Sequence, residues 1–166
     1  MKGLTEFINE SLVNESQNFL DGAESYPDNW DLADIFDETD GGKAAKLKQY
    51  DWTNYFDEDF VQKNKSKIVK YFTDFFAACD SVRNADVGNV GEDEFNDEEI
   101  RDYADISSDE CGVALHKDGD DGTWTIITFT KEMSALPKSQ QTALSNMIEK
   151  YENSGWYYIE YFDAIE

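Results

Sequence analysis

Between Val61 and Val82, the residues Ile68, Phe72, Phe75, Phe76 and Cys79 recur at i, i+4, i+7, i+8 and i+11. That is the repeat of one apolar face on an α-helix. A helix carrying three phenylalanines on one stripe has to lie against a broad apolar surface, so the rest of the chain must supply one. Lys63, Lys65, Lys67 and Lys70 crowd the first half of this stretch. Positive charge near a helix N-terminus opposes the helix dipole, so these lysines are not placed for helix stability. An acidic partner within the protein would account for them.

The surface is expected from the C-terminal third. Residues 111–116 and 123–130 are rich in strand formers and flank Asp118-Gly119-Asp120-Asp121-Gly122, a hairpin-turn composition. Pro137 can start a helix with Leu144, Met147, Ile148 and Tyr151 on one side and Gly155 placed to stop it. Trp156–Phe162 reads as a last strand. The order β-β-α-β after a helical N-terminal half predicts an α+β fold: a small antiparallel or mixed sheet covered by helices.

Upstream, Asp28 can cap a short helix with Leu32, Ile35 and Phe36 on its apolar side. Asp31, Asp34, Asp37 and Glu38 point mostly the other way, and Asp40-Gly41-Gly42 ends it. Lys43–Gln49 allows a helical turn or two before the aromatic cluster of Tyr50, Trp52, Tyr55, Phe56 and Phe60. Asn84–Glu94, with Gly88 and Gly91, is the candidate flexible linker. A short acidic helix is expected over Asp97–Tyr103, with Ile100 and Tyr103 turned inward. Residues 1–15 form an N-terminal helix and residues 16–166 a single acidic domain.

Charge narrows the function. Thirty-seven acids against 14 Lys and Arg leave −23. Residues 43–70 reverse the trend with seven Lys against four acids. Disordered acidic chains lack aromatics, whereas this one has 11 Phe, 9 Tyr and 4 Trp and should fold. Direct binding to nucleic-acid phosphates or to an anionic membrane needs positive patches, so the expected partner is a basic protein surface. The candidate contact residues are Asp28, Trp30, Asp31, Asp34, Asp37 and Glu38, with a second acidic stretch along Glu92–Glu110. Among Trp30, Tyr50, Trp52 and Tyr55, several are candidates for aromatic anchors inside an acidic rim. No stretch has the length and apolarity to span a bilayer.

Nucleophilic chemistry is poorly supplied. His116 is the one histidine, read here as a satisfied histidine at a surface edge. Cys111 lies an odd number of residues away on the same expected strand, so the two face opposite ways. Cys79 and Cys111 read as small core residues. Counting Asp118 as the first position of a calcium loop puts Thr123 where glycine is needed and Phe129 where a bidentate glutamate is needed. No catalytic residue, metal site or cofactor is assigned.

The N-terminus carries a resemblance. Met1-Lys2, then Glu6-Phe7-Ile8, then Ile8-Asn9-Glu10 with Ser11 after a cut, resemble the capsid-targeting peptide of internal head proteins in T4-like tailed phages. That peptide ends at a prohead-protease site of the form Leu/Ile-x-Glu. The resemblance covers about a dozen residues and implies proteolytic processing at Ile8, Asn9, Glu10 and Ser11. The same segment can be read as a plain docking helix, since Leu4, Phe7, Ile8 and Leu12 form one apolar stripe.

Two functions follow. The first is a non-enzymatic phage protein, packaged or virion-associated, that binds a basic surface of phage scaffold or capsid. The second is a DNA-mimic inhibitor of a host defence nuclease in the host cytoplasm. Duplex DNA carries one charge per ~1.7 Å of axis, so 23 charges match roughly 40 Å of duplex, about the breadth of a compact chain this long.

Overall fold

The structure is a computed structural model that describes Leu20, Ala23, Pro27 and residues 29–86, 101–119 and 122–165, with Asn29 and Trp30 as backbone alone. The N-terminal helix 1–15, the processing residues Ile8, Asn9, Glu10 and Ser11, Asp28, the side chain of Trp30 and residues 87–94 of the expected linker lie outside the described residues. What is described is an α+β fold. Helices α1 (Asn29–Glu38), α2 (Ala44–Gln49) and α3 (Glu58–Ala78) precede strand β1 (Cys79–Asp86). Strands β2 (Gly112–Lys117) and β3 (Thr123–Phe129), helix α4 (Lys138–Ser154) and strand β4 (Tyr157–Phe162) follow. The sheet order is β1-β3-β2-β4 with every pair antiparallel.

The order β2-β3-α4-β4 matches the sequence pattern, including Gly155 as the left-handed stop of α4 at φ 72°. Only glycine adopts that conformation without a Cβ penalty. One strand was not expected. The helix predicted to reach Val82 ends at Ala78, and the chain passes directly into β1. Strand β1 runs to Asp86, so residues 84–86 of the expected linker are paired sheet, opposite Thr123–Thr125 of β3. At its other end α3 begins at Glu58, placing Glu58 and Asp59 in the first turn. Their carboxylates complement the dipole that the lysines alone would oppose.

Each sheet face buries a separate apolar cluster. On one face Val82, Val113, Leu115, Ile127 and Phe129 meet the stripe of α3 and the inner side of α4. Phe72 and Phe75 are fully buried there, each stabilising the fold by about 1.5–3 kcal/mol relative to exposure. Tyr71 joins the two covering helices by donating its hydroxyl to the Ala143 carbonyl at 2.8 Å. On the opposite face Ala114, Trp124, Ile126 and Phe162 pack with Ala104 and Ile106. Arg101 lies 5.3 Å over the Phe162 ring and donates to the carbonyls of Ser107 and Asp163. It is therefore Arg101, and not Tyr103, that turns inward from the segment after residue 100, since Tyr103 is exposed.

Candidate protein-binding surface

Helix α1 is amphipathic for a local reason. Leu32 and Ile35 are fully buried, and the carboxylates one or two positions away fall on the wet side. Asp34, Asp37 and Glu38 are exposed and Asp31 is half-buried. The last turn of α1 holds no base, so this carboxylate face is not neutralised along its own helix.

The chain then turns sharply. Thr39 Oγ1 donates to the Ile35 carbonyl at 2.6 Å and accepts from Gly42 N at 3.1 Å. Asp40, Gly41 and Gly42 all have positive φ, at 51°, 75° and 80°. At Gly42 a Cβ would overlap Phe76 Cβ and stand 2.8 Å from its Cγ. Glycine is required there both by the backbone conformation and by the approach to α3. Asp40 forms an ion pair with Lys46, with Lys43 at 3.9 Å, and the Lys46 ammonium holds its carboxyl below the usual range.

This turn sets α1 beside an aromatic step. Asp51 caps the 3-10 turn Trp52–Asn54 by accepting from Thr53 N. Trp52 goes into the core, donating Nε1 to the Leu47 carbonyl at 3.0 Å and stacking on Phe72 at 4.7 Å. Tyr50 and Tyr55 stay half-buried with parallel rings, 4° between planes and 6.1 Å between centroids. The Tyr50 hydroxyl donates to that of Tyr55 at 3.1 Å. Burial pushes both phenols up. The Tyr55 hydroxyl and Glu38 raise Tyr50 further. For Tyr55, the bond from Tyr50 acts in the opposite sense, and Asp31, Asp34 and Glu38 add to the rise. Both tyrosines are therefore neutral at physiological pH, and the carboxylates of α1 stand close enough to be felt at their hydroxyls.

Of the expected contact residues, Asp31, Asp34 and Glu38 are thus brought to one patch with Tyr50 and Tyr55, and Asp37 is exposed on the same helix. Trp52 is core and does not belong to the patch. A patch of carboxylates beside two phenol rings has the chemistry to receive Lys or Arg side chains, through charge and through the ring faces. In the second acidic stretch, the described part is partly used within the fold. Glu110 accepts from Ser107 N and lies 3.9 Å from Arg83, while Asp109 accepts from Ser107 Oγ. Among the described residues, the lysines of α3 do not share one acidic partner. Lys70 pairs with Asp74 on its own helix at 2.7 Å, and Lys63, Lys65 and Lys67 are exposed.

His116 departs from expectation. It sits on β2, flanked by β3 and β4, and is 1% exposed, with the Trp124 ring 4.8 Å away and Tyr158 at 6.2 Å. It is a buried residue of an inner strand because β4 adds outside β2. It shares a face with Ala114 and Trp124, whereas Cys111 packs against the cluster on the other face. Burial pushes the thiols of Cys79 and Cys111 up, which disfavours the thiolate a nucleophile needs. Among the described residues, no three or more His, Cys, Asp or Glu side chains are grouped to hold a metal ion. No helix among them is long and apolar enough to cross a membrane.

Set against known proteins, the chain matches no family model, and neither a curated protein nor a solved structure is significantly similar to it.

Proposed function

We propose that the chain is a non-enzymatic acidic phage protein whose α1 face, with Tyr50 and Tyr55, binds a basic protein surface. The observation that carries this reading is the juxtaposition of Asp31, Asp34 and Glu38 with the stacked tyrosine pair. Charge-bearing rim residues around rigid aromatic area are what a protein interface uses. The opening Met1-Lys2…Ile8-Asn9-Glu10 supports delivery to the phage head with removal of residues 1–10, leaving Ser11 first.

The test is a titration of the isotopically labelled full chain with a Lys/Arg-rich peptide, followed by amide NMR. Shifts centred on Asp34, Asp37, Glu38, Tyr50 and Tyr55 are expected. The triple substitution Asp34→Asn, Asp37→Asn, Glu38→Gln should weaken binding by roughly tenfold, at ~0.2–1 kcal/mol per exposed contact. Equal binding by that variant would refute the assignment of the surface. Packaging is tested separately by mass spectrometry of phage particles, where the protein should begin at Ser11.

Inhibition of a host nuclease by DNA mimicry is the second reading, favoured by the net charge of −23. The exposed lysines of α2 and α3 exclude their own side of the molecule from a DNA-like surface and leave the α1 face as its candidate among the described residues. A mimic should compete with duplex DNA for the nuclease and lose affinity steeply as salt rises.

A further inference from the structure

The lysines of residues 43–70 have a consequence independent of the acidic face. Helix α2 presents Ala44 and Lys48 one turn apart, and α3 presents Lys65, Val69 and Thr73 at successive turns. Between them lies a cavity of about 490 Å³, lined also by Ser66, Lys70 and Asp74. That volume falls within the ~300–1,000 Å³ of small-molecule sites. Val69 is the buried residue of its lining.

Charge at the rim is unbalanced. Three lysines face one aspartate, and that aspartate is already bound to Lys70. Neither Lys48 nor Lys65 makes an ion pair among the described residues. Asp51 stands near Lys65, but its Oδ1 accepts from Thr53 N and Thr53 Oγ1 at 3.1 and 2.5 Å. In a chain of −23, two cations, Lys48 and Lys65, that pair with no acid among the described residues and line one hollow with Val69 mark a place for an outside anion.

We propose that this groove binds a small organic anion with an apolar body. Its carboxylate, sulfonate or phosphate end sits among the Nζ atoms of Lys48, Lys65 and Lys70, and its body covers Val69. The long-range field of the acidic chain repels such a ligand, but at ~0.15 M salt the screening length is ~8 Å. Under those conditions the local charges dominate at the groove, where three lysines outnumber Asp74.

The probe is anilinonaphthalene sulfonate, an apolar aromatic sulfonate whose fluorescence rises when it is desolvated. Added to the full chain at that salt, it should bind saturably and shift the amides of Val69 and Thr73. The double variant Lys48→Gln, Lys65→Gln should bind it roughly tenfold more weakly. The control Lys63→Gln, Lys67→Gln removes the same charge from the same region but outside the groove, and should stay within about twofold of the parent. All four lysines are exposed, so neither variant disturbs the core. Absence of saturable binding overturns the proposal, as does equal weakening in both variants, which would make the effect one of net charge alone.

Discussion

Substituting Gly42 by alanine tests whether the α1 turn is fixed by close packing or by backbone preference alone. Two costs add. A Cβ at φ 80° costs about 1–2 kcal/mol. The same Cβ would overlap Phe76 Cβ, and Phe76 has little room to retreat because it is 2% exposed. Its ring is held by Phe75, Phe36 and Phe72 with centroids at 5.1, 5.5 and 5.8 Å. Overpacking of that kind adds ~1–3 kcal/mol, for a total of about 2–5 kcal/mol. Gly41 supplies the control. Its φ is 75°, but a Cβ there would come no nearer than 3.6 Å to Phe36 Cζ, so only the backbone cost of about 1–2 kcal/mol applies. Urea unfolding followed by tryptophan fluorescence measures both, with m of ~1–3 kcal/mol/M converting the difference into a separation of midpoints. Gly42→Ala should unfold at clearly lower urea than Gly41→Ala. Coincident midpoints would refute the packing argument and leave only the left-handed backbone as the reason for the two glycines.

Trp52→Phe should destabilise the fold by about 1–3 kcal/mol, through loss of the Nε1 bond to a Leu47 carbonyl left buried and of ring area on Phe72, read from the same denaturation curves. Asp40 should titrate below the usual carboxylate range in carbon-detected NMR, and Lys46→Gln should bring it back up. Because its folded value is depressed, its ion pairs contribute fully above the unfolded value and are lost as pH falls through the folded one. Asp40→Asn, which keeps a residue tolerant of positive φ, should remove that part of the acid sensitivity. With a thiol-reactive disulfide reagent, Cys111 should react first and Cys79 only on unfolding, since Cys79 is buried, Cys111 is half-buried, and the Cys79 Sγ bonds to the Phe75 carbonyl. Faster reaction at Cys79 would contradict the packing at the end of α3.

The α+β class, the hairpin β2–β3 and the stop of α4 at Gly155 were readable because each rests on local chemistry: strand formers around a Gly/Asp turn, a proline start, a glycine end. The boundary between α3 and β1 was not, for a specific reason. The register of β1 shifts between Cys79 and Ser81, so Cys79 and Val82 both point into the core three residues apart. That is a helical spacing, and nothing in the apolar pattern distinguishes a bulged strand from one more turn of helix. His116 was misplaced because strand order is non-local: its neighbour β4 arrives only after α4. The acidic face of α1 was legible from Leu32 and Ile35, but its meeting with Tyr50 and Tyr55 depends on the turn at Asp40–Gly42 and on Trp52 going inward. The groove between α2 and α3 left only its lysines as a signal.

The pairing of β1 also bears on how the sheet is assembled in time. Among the described residues it pairs with β3 alone, residues 123–129, whereas β2 and β3 meet across one short turn. Closing a long loop costs entropy before any contact repays it, so the hairpin should form early and β1 should join late, carrying the end of α3 with it. Until then the stripe of phenylalanines on α3 has no sheet to cover. A nascent chain would therefore hold its most adhesive surface open through the synthesis of about fifty further residues, from the end of α3 at Ala78 to the end of β3 at Phe129, the interval in which a chaperone would be expected to find it.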